Sequence, residues 1–293
     1  EFLSAERDRE RPFFVVASFP DPHHPFDPPE EIAAQYPPAC ARAPVGGPED
    51  LATRPDHYQR HFGGGWHRSG VEKAKHPQGP DAARCRERTS LTYAMVDLID
   101  RNVGVILDTL EAQGLRNETI IVFTSDHGEL LGDPGLWAKG PFFYEGLINT
   151  PLIAAGPGVV AGSVSRALFS DVDLAPTLCA LANLPPPPGT EGISQAAVLK
   201  GTVESARKQC LIEYRTGYGR REDDAAVAVT DRDKYVRYAD GGEEYTDLAS
   251  DPEERTNRAD APEHGARVAE LRASLLDGLL ATRSALPEQI SHA

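Results

Sequence analysis

Two neighbouring side chains, Asp126 and His127, offer an oxygen and a nitrogen ligand directly after the apolar run at residues 119–124. That run predicts a β-strand, and ligand sites in open α/β sheets lie beyond the carboxyl ends of strands. Gly128 lets the backbone turn tightly. A hard divalent ion accepts a carboxylate readily, although imidazole is less usual for calcium. The pair is a candidate metal site, with a capped turn at a strand end as the alternative.

Lys139 follows Asp126 by 13 residues and lies between Trp137 and the Gly-Pro-Phe-Phe run that begins at Gly140. If that segment packs inward, the ammonium is partly desolvated and becomes a strong point-charge partner for a sulfate or phosphate oxygen. The alternative is an exposed lysine in a loop. This segment, considered without the other motifs, favours that alternative.

His23 and His24 lie in an Asp-Pro-His-His-Pro-Phe segment, just after another apolar run at residues 13–19. The prolines on both sides restrict the backbone. An imidazole there can donate a proton to a departing alkoxide or orient an ester oxygen. An incidental exposed pair is the alternative, and it is favoured unless the other motifs support the pair.

The elements that must position these residues alternate between strands and helices. Apolar runs at residues 13–19, 119–124 and 151–155 predict strands, the first of them central and buried. Apolar residues recur at helical spacing from Leu91 to Leu110. This alternation predicts an α/β domain with a mainly parallel sheet flanked by helices.

The composition changes at two places along the chain. Residues 37–86 are rich in Pro, Gly, His and Arg without periodicity, which predicts a long loop. After the prolines at residues 185–188, short β-rich segments and an amphipathic helix predict a small antiparallel sheet with a terminal helix. We therefore divide the chain into residues 1–200, the main α/β domain, and residues 201–293, a C-terminal subdomain.

The overall charge excludes one class of partner. The formal net charge is −15 and the pI is near 5.0, whereas a nucleic-acid partner would need a basic footprint. No stretch approaches the roughly 18 apolar residues of a membrane span. A negative field also repels an anionic substrate, so an anion site must be built locally from cations or a metal.

Four cysteines show neither a C-x-x-C pair nor zinc-type spacing. Cys179 and Cys210 lie in apolar runs and are expected to be buried thiols. Cys40 and Cys85 flank a loop and could pair. The cellular compartment and the oligomeric state stay open at this stage.

Several motifs, in their order along the chain, resemble those of the sulfatase family. They are S-x-P-D-x-H-x-P-F ending at Phe26, YAMVDLID from Tyr93, TSDHGE from Thr124, GLWAKGPFFYE from Gly135, and VDLAPT from Val172. TDRDKY from Thr230 and YTDLASDPEE from Tyr245 look like the C-terminal subdomain of that family. Each motif is weak alone, but the ordered set is specific and covers nearly the whole chain apart from residues 37–86.

The resemblance implies the alkaline-phosphatase-like α/β fold and hydrolysis of a sulfate monoester of a small molecule or a carbohydrate. In that family a formylglycine, made from Cys or Ser in C/S-x-P-x-R, attacks sulfur. A divalent cation, commonly calcium but with Mg²⁺ or Mn²⁺ also possible, holds the sulfate oxygens. By position, Asp126 and His127 would be metal ligands and Lys139 would contact the sulfate. His23 would contact the leaving-group oxygen as hydrogen-bond donor or general acid, with His24 as the alternative.

The chain departs from the family pattern in two ways. No cysteine begins C-x-P-x-R, and the upstream Asp-Asp ligands are absent, which fits loss of an N-terminal third. Residues 1–200 would then be a partial catalytic domain, and the chain alone would be nearly inactive with weak metal affinity. Pro134 stands where many relatives have G-D-H-G, which could alter the loop or the substrate contacts.

Three functions are compatible with these motifs. The first is a sulfatase, and the second is a phosphonate monoester hydrolase or phosphodiesterase with the same metal chemistry. The third is a non-catalytic binding protein on a sulfatase scaffold. Retention of His23, Asp126, His127 and Lys139 together favours an enzyme.

Overall fold

The computed structural model describes residues 2–61, 81–215 and 221–282 of the chain. The α-helices of these residues are α1 (Glu30–Ala33), α2 (Asp56–His61), α3 (Ala82–Ala112), α4 (Glu145–Ile148), α5 (Leu174–Leu181), α6 (Ala196–Leu199) and α7 (Gly265–Ala281). The strands are β1 (Ile121–Thr124), β2 (Leu152–Ala155), β3 (Cys210–Tyr214), β4 (Ala225–Val229), β5 (Asp233–Tyr238) and β6 (Glu243–Asp247).

Helix α3 is the longest element and confirms the helical pattern in the sequence. It begins earlier than the apolar spacing indicates, because the side chain of Asp81 caps it by accepting a hydrogen bond from the amide of Ala83 at 2.9 Å. Gly114, at a φ of +68°, follows its C-terminal end, where a left-handed residue favours glycine.

The long loop predicted at residues 37–86 is only partly a loop. Helix α2 and the first residues of α3 lie within it, and residues 62–80 are outside the described residues. Leu51, His57 and Tyr58 are buried in the core. The prediction was wrong here because these side chains are buried by distant strands, which leave no periodicity in the local sequence.

The described strands of the main domain are antiparallel, contrary to the mainly parallel sheet that the sequence predicts. Strand β1 pairs with β2, with Ile121 opposite Ala155 and Thr124 opposite Leu152. A parallel pair needs a long crossover, usually through a helix. The connection between β1 and β2 contains only the one-turn helix α4, so the chain returns antiparallel.

The buried central strand predicted at residues 13–19 is also absent. These residues form no regular element, and Phe14 and Val16 are 78% and 74% exposed. An apolar run becomes a strand only where neighbouring strands satisfy its backbone groups. No strand among the described residues pairs with it.

The predicted small antiparallel sheet with a terminal helix is confirmed. Strands β3, β4, β5 and β6 follow one another as antiparallel neighbours. Side chains of a strand alternate between the two faces of a sheet. In β5, Tyr235 therefore packs on α7, whereas Lys234, Val236 and Tyr238 face the segment that precedes and includes α4. The division of the chain at residue 200 stays a prediction.

Two core clusters lie on the two faces of this sheet. On one face the strands pack against α7 through Tyr235, Tyr245, Val268, Leu271 and Leu275. On the other face they pack against Leu51 and Tyr58 and against Leu130, Leu136, Phe142, Phe143, Tyr144 and Leu147. The second cluster joins the C-terminal sheet to the segment that carries Lys139.

All four cysteines are free thiols, so Cys40 and Cys85 do not pair. Cys85 is buried against Gly132, where an added Cβ would lie 2.4 Å from its Sγ, and burial raises the pKa of its thiol to about 11. Cys210 is buried as expected, and Cys179 is half-buried. Among the described helices, none has the length and apolar character needed to span a membrane.

Candidate active site

Asp126 and His127 lie just beyond the C-terminal end of β1, as predicted. The Asp126 carboxylate is 85% exposed, and its Oδ2 lies 3.5 Å from Nε2 of His127. The other oxygen, Oδ1, accepts a hydrogen bond from the amide of His127 at 2.9 Å, and Ser125 Oγ donates to the His127 carbonyl at 3.0 Å. These local bonds hold the two candidate ligands side by side.

The His127 ring has a defined tautomer. Nδ1 lies 2.8 Å from the carbonyl oxygen of Gly128, and a carbonyl can only accept, so Nδ1 carries the proton. Nε2 is then an acceptor, and the Lys139 ammonium donates to it across 2.7 Å. The structure therefore brings Lys139 together with Asp126 and His127, which the sequence placed in a separate motif.

Lys139 reaches His127 because the intervening loop folds back on itself. The amide of Leu130 donates to the carbonyl of Ala138 at 3.2 Å, and Glu129 accepts from the amide of Leu131 at 3.3 Å. Burial raises the pKa of Glu129, partly offset by its backbone hydrogen bonds. Ala138 has a left-handed φ of +59°, a strained conformation for a residue with a Cβ, directly before Lys139.

Gly128 allows the site loop to approach α4 closely. Its amide donates to the carbonyl of Leu147 at 2.8 Å. A Cβ on Gly128 would lie 1.9 Å from the carbonyl oxygen of Gly146, so no larger residue fits without moving one of the two segments. The backbone beside His127 is thereby tied to α4.

His23 and His24 are exposed and stack on each other, with ring centroids 4.1 Å apart. His23 Nδ1 lies 2.8 Å from the carbonyl oxygen of His24, so this nitrogen donates and Nε2 is the ring atom left to meet a leaving group. Among the hydrogen bonds and ion pairs of the described residues, none joins His23 directly to Lys139.

Arg88 of α3 connects the histidine segment to the lysine segment. Its guanidinium carbon lies 4.2 Å from the ring centroid of Trp137 and 5.9 Å from that of Phe26. Trp137 is two residues before Lys139, and Phe26 is two residues after His24. Cation–π contacts of this kind hold two surface segments together. No local pattern in the sequence marks Arg88 for this role.

An open cleft of about 1970 Å³ adjoins the site. Its lining includes Asp126, His127, Lys139, Glu145 and Asp171. Burial raises the pKa of Asp171, and the nearby Asp126 carboxylate adds to that effect. The cleft thus presents acidic oxygens beside one ammonium and one imidazole.

A carboxylate oxygen and an imidazole nitrogen fit part of the ligand set of a divalent cation. Asp126 presents its carboxylate to solvent, whereas the lone pair of His127 Nε2 is held by the Lys139 ammonium. In the described part of the chain, no group of three or more His, Cys, Asp or Glu side chains could hold a metal. Asp126 and His127 would therefore be two ligands of a larger set.

Two family models match the sequence. The model described as Sulfatase matches residues 1–184. The model described as N-sulphoglucosamine sulphohydrolase, C-terminal, matches residues 132–280. Together they extend over nearly the whole chain.

Individual relatives support the same assignment. An arylsulfatase from Clostridium perfringens (strain 13 / Type A) is 32% identical over 278 residues, which are 93% of this chain and 54% of the arylsulfatase. This chain therefore spans about half the length of the curated relatives that it matches.

Solved structures also match the fold. The phosphonate monoester hydrolase of Agrobacterium radiobacter is 25% identical with a TM-score of 0.80, covering 95% of this chain and 58% of the hydrolase. A protein in complex with its substrate D-glucosamine-2-N,6-O-disulfate is 29% identical with a TM-score of 0.63, covering 68% of this chain and 42% of that protein.

Proposed function

Because this chain belongs to the sulfatase family, we propose that it carries the sulfate- and metal-contacting part of a sulfuric ester hydrolase. The alkaline-phosphatase-like fold implied by the sequence motifs is confirmed by the structural neighbours. The observation that carries the proposal is the 2.7 Å contact between the Lys139 ammonium and His127, beside the exposed Asp126 carboxylate. A cation, an imidazole and a carboxylate at one strand end suit an anionic ester better than a neutral ligand.

Each residue has a definite part in the proposed reaction. Asp126 and His127 would hold a divalent cation, for which Ca²⁺ is the first candidate, and that cation supplies charge stabilisation at the sulfate oxygens. When His127 Nε2 binds the cation, the Lys139 ammonium would leave that nitrogen and bind a further sulfate oxygen as a point charge. His23, or His24 if the register differs, donates a hydrogen bond or a proton to the departing oxygen. With Nδ1 already bound to a carbonyl, His23 would act through Nε2.

The nucleophile is not among the 293 residues. No cysteine and no serine begins C/S-x-P-x-R, the segment in which the family forms formylglycine. Lys139 and His23 can bind and protonate an ester, but neither attacks sulfur in this scheme. We therefore expect the purified chain to release no measurable sulfate from an aryl sulfate, even with added Ca²⁺.

A phosphonate monoester hydrolase is the second candidate. The match to the Agrobacterium radiobacter enzyme has a TM-score of 0.80 over 95% of this chain. The two reactions share the need for cations around a tetrahedral anion, so the site residues would keep the same parts. Our ranking of the sulfatase first follows the family models and the arylsulfatase relative.

The test begins with the coding DNA upstream of Glu1. An in-frame C/S-x-P-x-R, with an Asp-Asp pair ahead of it, justifies expressing the encoded protein on 4-nitrophenyl sulfate and on a 4-nitrophenyl phosphonate monoester. Preferential sulfate release, lost in Lys139→Met, supports the proposal, and preferential phosphonate hydrolysis supports the second candidate. A start codon close to Glu1 without that motif would contradict both and favour a non-catalytic binding protein.

A further inference from the structure

The segment between Lys139 and α4 rests on the C-terminal sheet. The carbonyl oxygen of Pro141 accepts a hydrogen bond from His57 Nε2 at 3.1 Å and lies 3.1 Å from the hydroxyl of Tyr238. Tyr238 also donates to Glu244 at 2.6 Å. All of these groups are buried, so the carbonyl two residues after Lys139 has a fixed position.

A buried cluster of charges fixes the other end of the same segment. The Lys234 ammonium contacts Glu254 Oε1 and lies 3.3 Å from Glu145 Oε1. The second oxygen of Glu254 accepts a hydrogen bond from the amide of Glu145, the first residue of α4. The side chains of Lys234 and Glu254 are each 4% exposed. Buried groups of this kind cannot exchange partners with water, so their geometry is strongly determined.

Helix α4 carries this constraint to His127. Leu147 of α4 accepts the hydrogen bond from the amide of Gly128, and the contact of Gly128 with Gly146 leaves no room for slippage. Glu145 is thus linked through one helical turn to the residue next to His127. The same cluster is thus connected through the backbone to both partners of the 2.7 Å contact between Lys139 and His127.

Lys139 itself is exposed and has a long flexible side chain. Holding its ammonium in one place costs side-chain entropy unless the backbone below it is fixed. The main fixed points are the Pro141 carbonyl, which accepts from His57 of α2 and Tyr238 of β5, and the Glu145 amide, which donates to Glu254.

We propose that Lys234 is a positioning residue for the candidate site, acting through Glu254 and Glu145 on the segment that carries Lys139 and on the loop that carries His127. This inference rests on the proposed function for its meaning, because it assigns the C-terminal sheet a part in binding the ester. Lys234 itself touches neither Lys139 nor His127.

The test compares two substitutions in the 293-residue chain, each of which breaks an ion pair on a different face of β5. Lys234→Met removes the ammonium and keeps most of the apolar stem. Arg267→Met is the matched control, because it breaks the 2.7 Å ion pair with Asp233 on the α7 face of the same strand. The readouts are the thermal midpoint and the imidazole signals of His127 in ¹H–¹³C spectra of histidine-labelled protein, assigned with His127→Gln.

Lys139→Met gives the reference shift of the His127 signals in the parent chain, because it removes the contact directly. We expect Lys234→Met to shift the same signals. Adding Lys139→Met to Lys234→Met should then cause no further shift of the His127 signals. Arg267→Met should lower the thermal midpoint while leaving the His127 signals and their response to Lys139→Met intact. His127 signals unchanged by Lys234→Met, with only a lower midpoint, would overturn the proposal.

A second variant covers the case in which Lys234→Met does not fold. Glu145→Gln keeps the amide that bonds to Glu254 and weakens the contact with Lys234. It should shift the His127 signals in the same direction by a smaller amount, and the absence of a shift would equally overturn the proposal. These spectra need no ester hydrolysis, so a failure of the proposed function would appear separately, in the ester assays.

Discussion

The two sheets in the described part of the chain differ in how much of them is covered. Strands β1 and β2 are only half-buried, and Ile153 of β2 is 63% exposed. In the C-terminal sheet, Val227 and Tyr235 are completely buried between α7 and the segment preceding α4. The open sheet carries the chemical groups, and the covered sheet holds the segment that brings them together.

Charged residues follow the same division. Asp126 and Lys139 are exposed, where ion pairs contribute little to stability. The pairs of Arg54 with Glu244 and of Lys234 with Glu254 are buried, where loss of one partner leaves an uncompensated charge. Substitutions of the buried charges should therefore lower stability, whereas substitutions of the exposed charges should change the site and leave stability nearly unaffected.

The largest expected effect is in the core of the covered sheet. Tyr235→Ala should lower the free energy of unfolding by about 4 kcal/mol, because it removes a buried aromatic side chain from the face against α7. Ile153→Ala, the matched change on β2, should alter it by no more than about 0.5 kcal/mol. Urea denaturation followed by circular dichroism measures both, and equal losses would contradict the comparison.

A smaller effect is expected at the ion pair between the covered sheet and α7. Asp233 accepts hydrogen bonds from Arg267 Nε at 2.7 Å and Nη2 at 3.0 Å. Asp233→Asn keeps the shape and removes the charge, so unfolding should become easier by about 2 kcal/mol at neutral pH. Urea denaturation of the two proteins tests this. An unchanged midpoint would show that the ion pair between Asp233 and Arg267 does not stabilise the fold.

The pH dependence of stability should originate in the same ion pair, between Asp233 and Arg267. Burial alone would raise the pKa of Asp233, but hydrogen bonds from Arg267 and Thr230 outweigh it and lower the pKa in the folded state. The charged form therefore stabilises the fold above about pH 4, and this contribution is lost as the pH falls through the lower folded pKa. The thermal midpoint of the parent chain should drop over that acid range, more steeply than that of Asp233→Asn. Parallel curves would contradict this assignment.

The smallest effect on stability is expected at the site itself. Lys139→Met should change the free energy of unfolding by less than about 0.5 kcal/mol, because the side chain is exposed and its one described partner is His127. The same substitution should abolish ester turnover in any active form of the protein. A loss of stability as large as that of Asp233→Asn would make Lys139 a structural residue. It would contradict the division between a stabilising covered sheet and an exposed chemical site.

The order of the motifs was sufficient to predict the family and the C-terminal sheet, because both can be recognised from short segments of sequence. Short β-rich segments after residue 200 predict the strands of this sheet, and the position of Asp126 and His127 after a strand follows from the run before them. The run at residues 13–19 has an equally apolar pattern but forms no strand, because the partners that a strand needs are not encoded in its own residues.

The sequence by itself determined which residues could do chemistry and that Asp126 and His127 follow a strand. Only the tertiary structure decided that Lys139 meets His127, that Arg88 joins two distant segments, and that Lys234 faces Glu145 rather than α7. The physical reason is the separation along the chain. A hydrophobic period or a turn signal acts over a few residues, whereas the contact of Lys234 with Glu145 spans 89 positions and exists only once the covered sheet has formed.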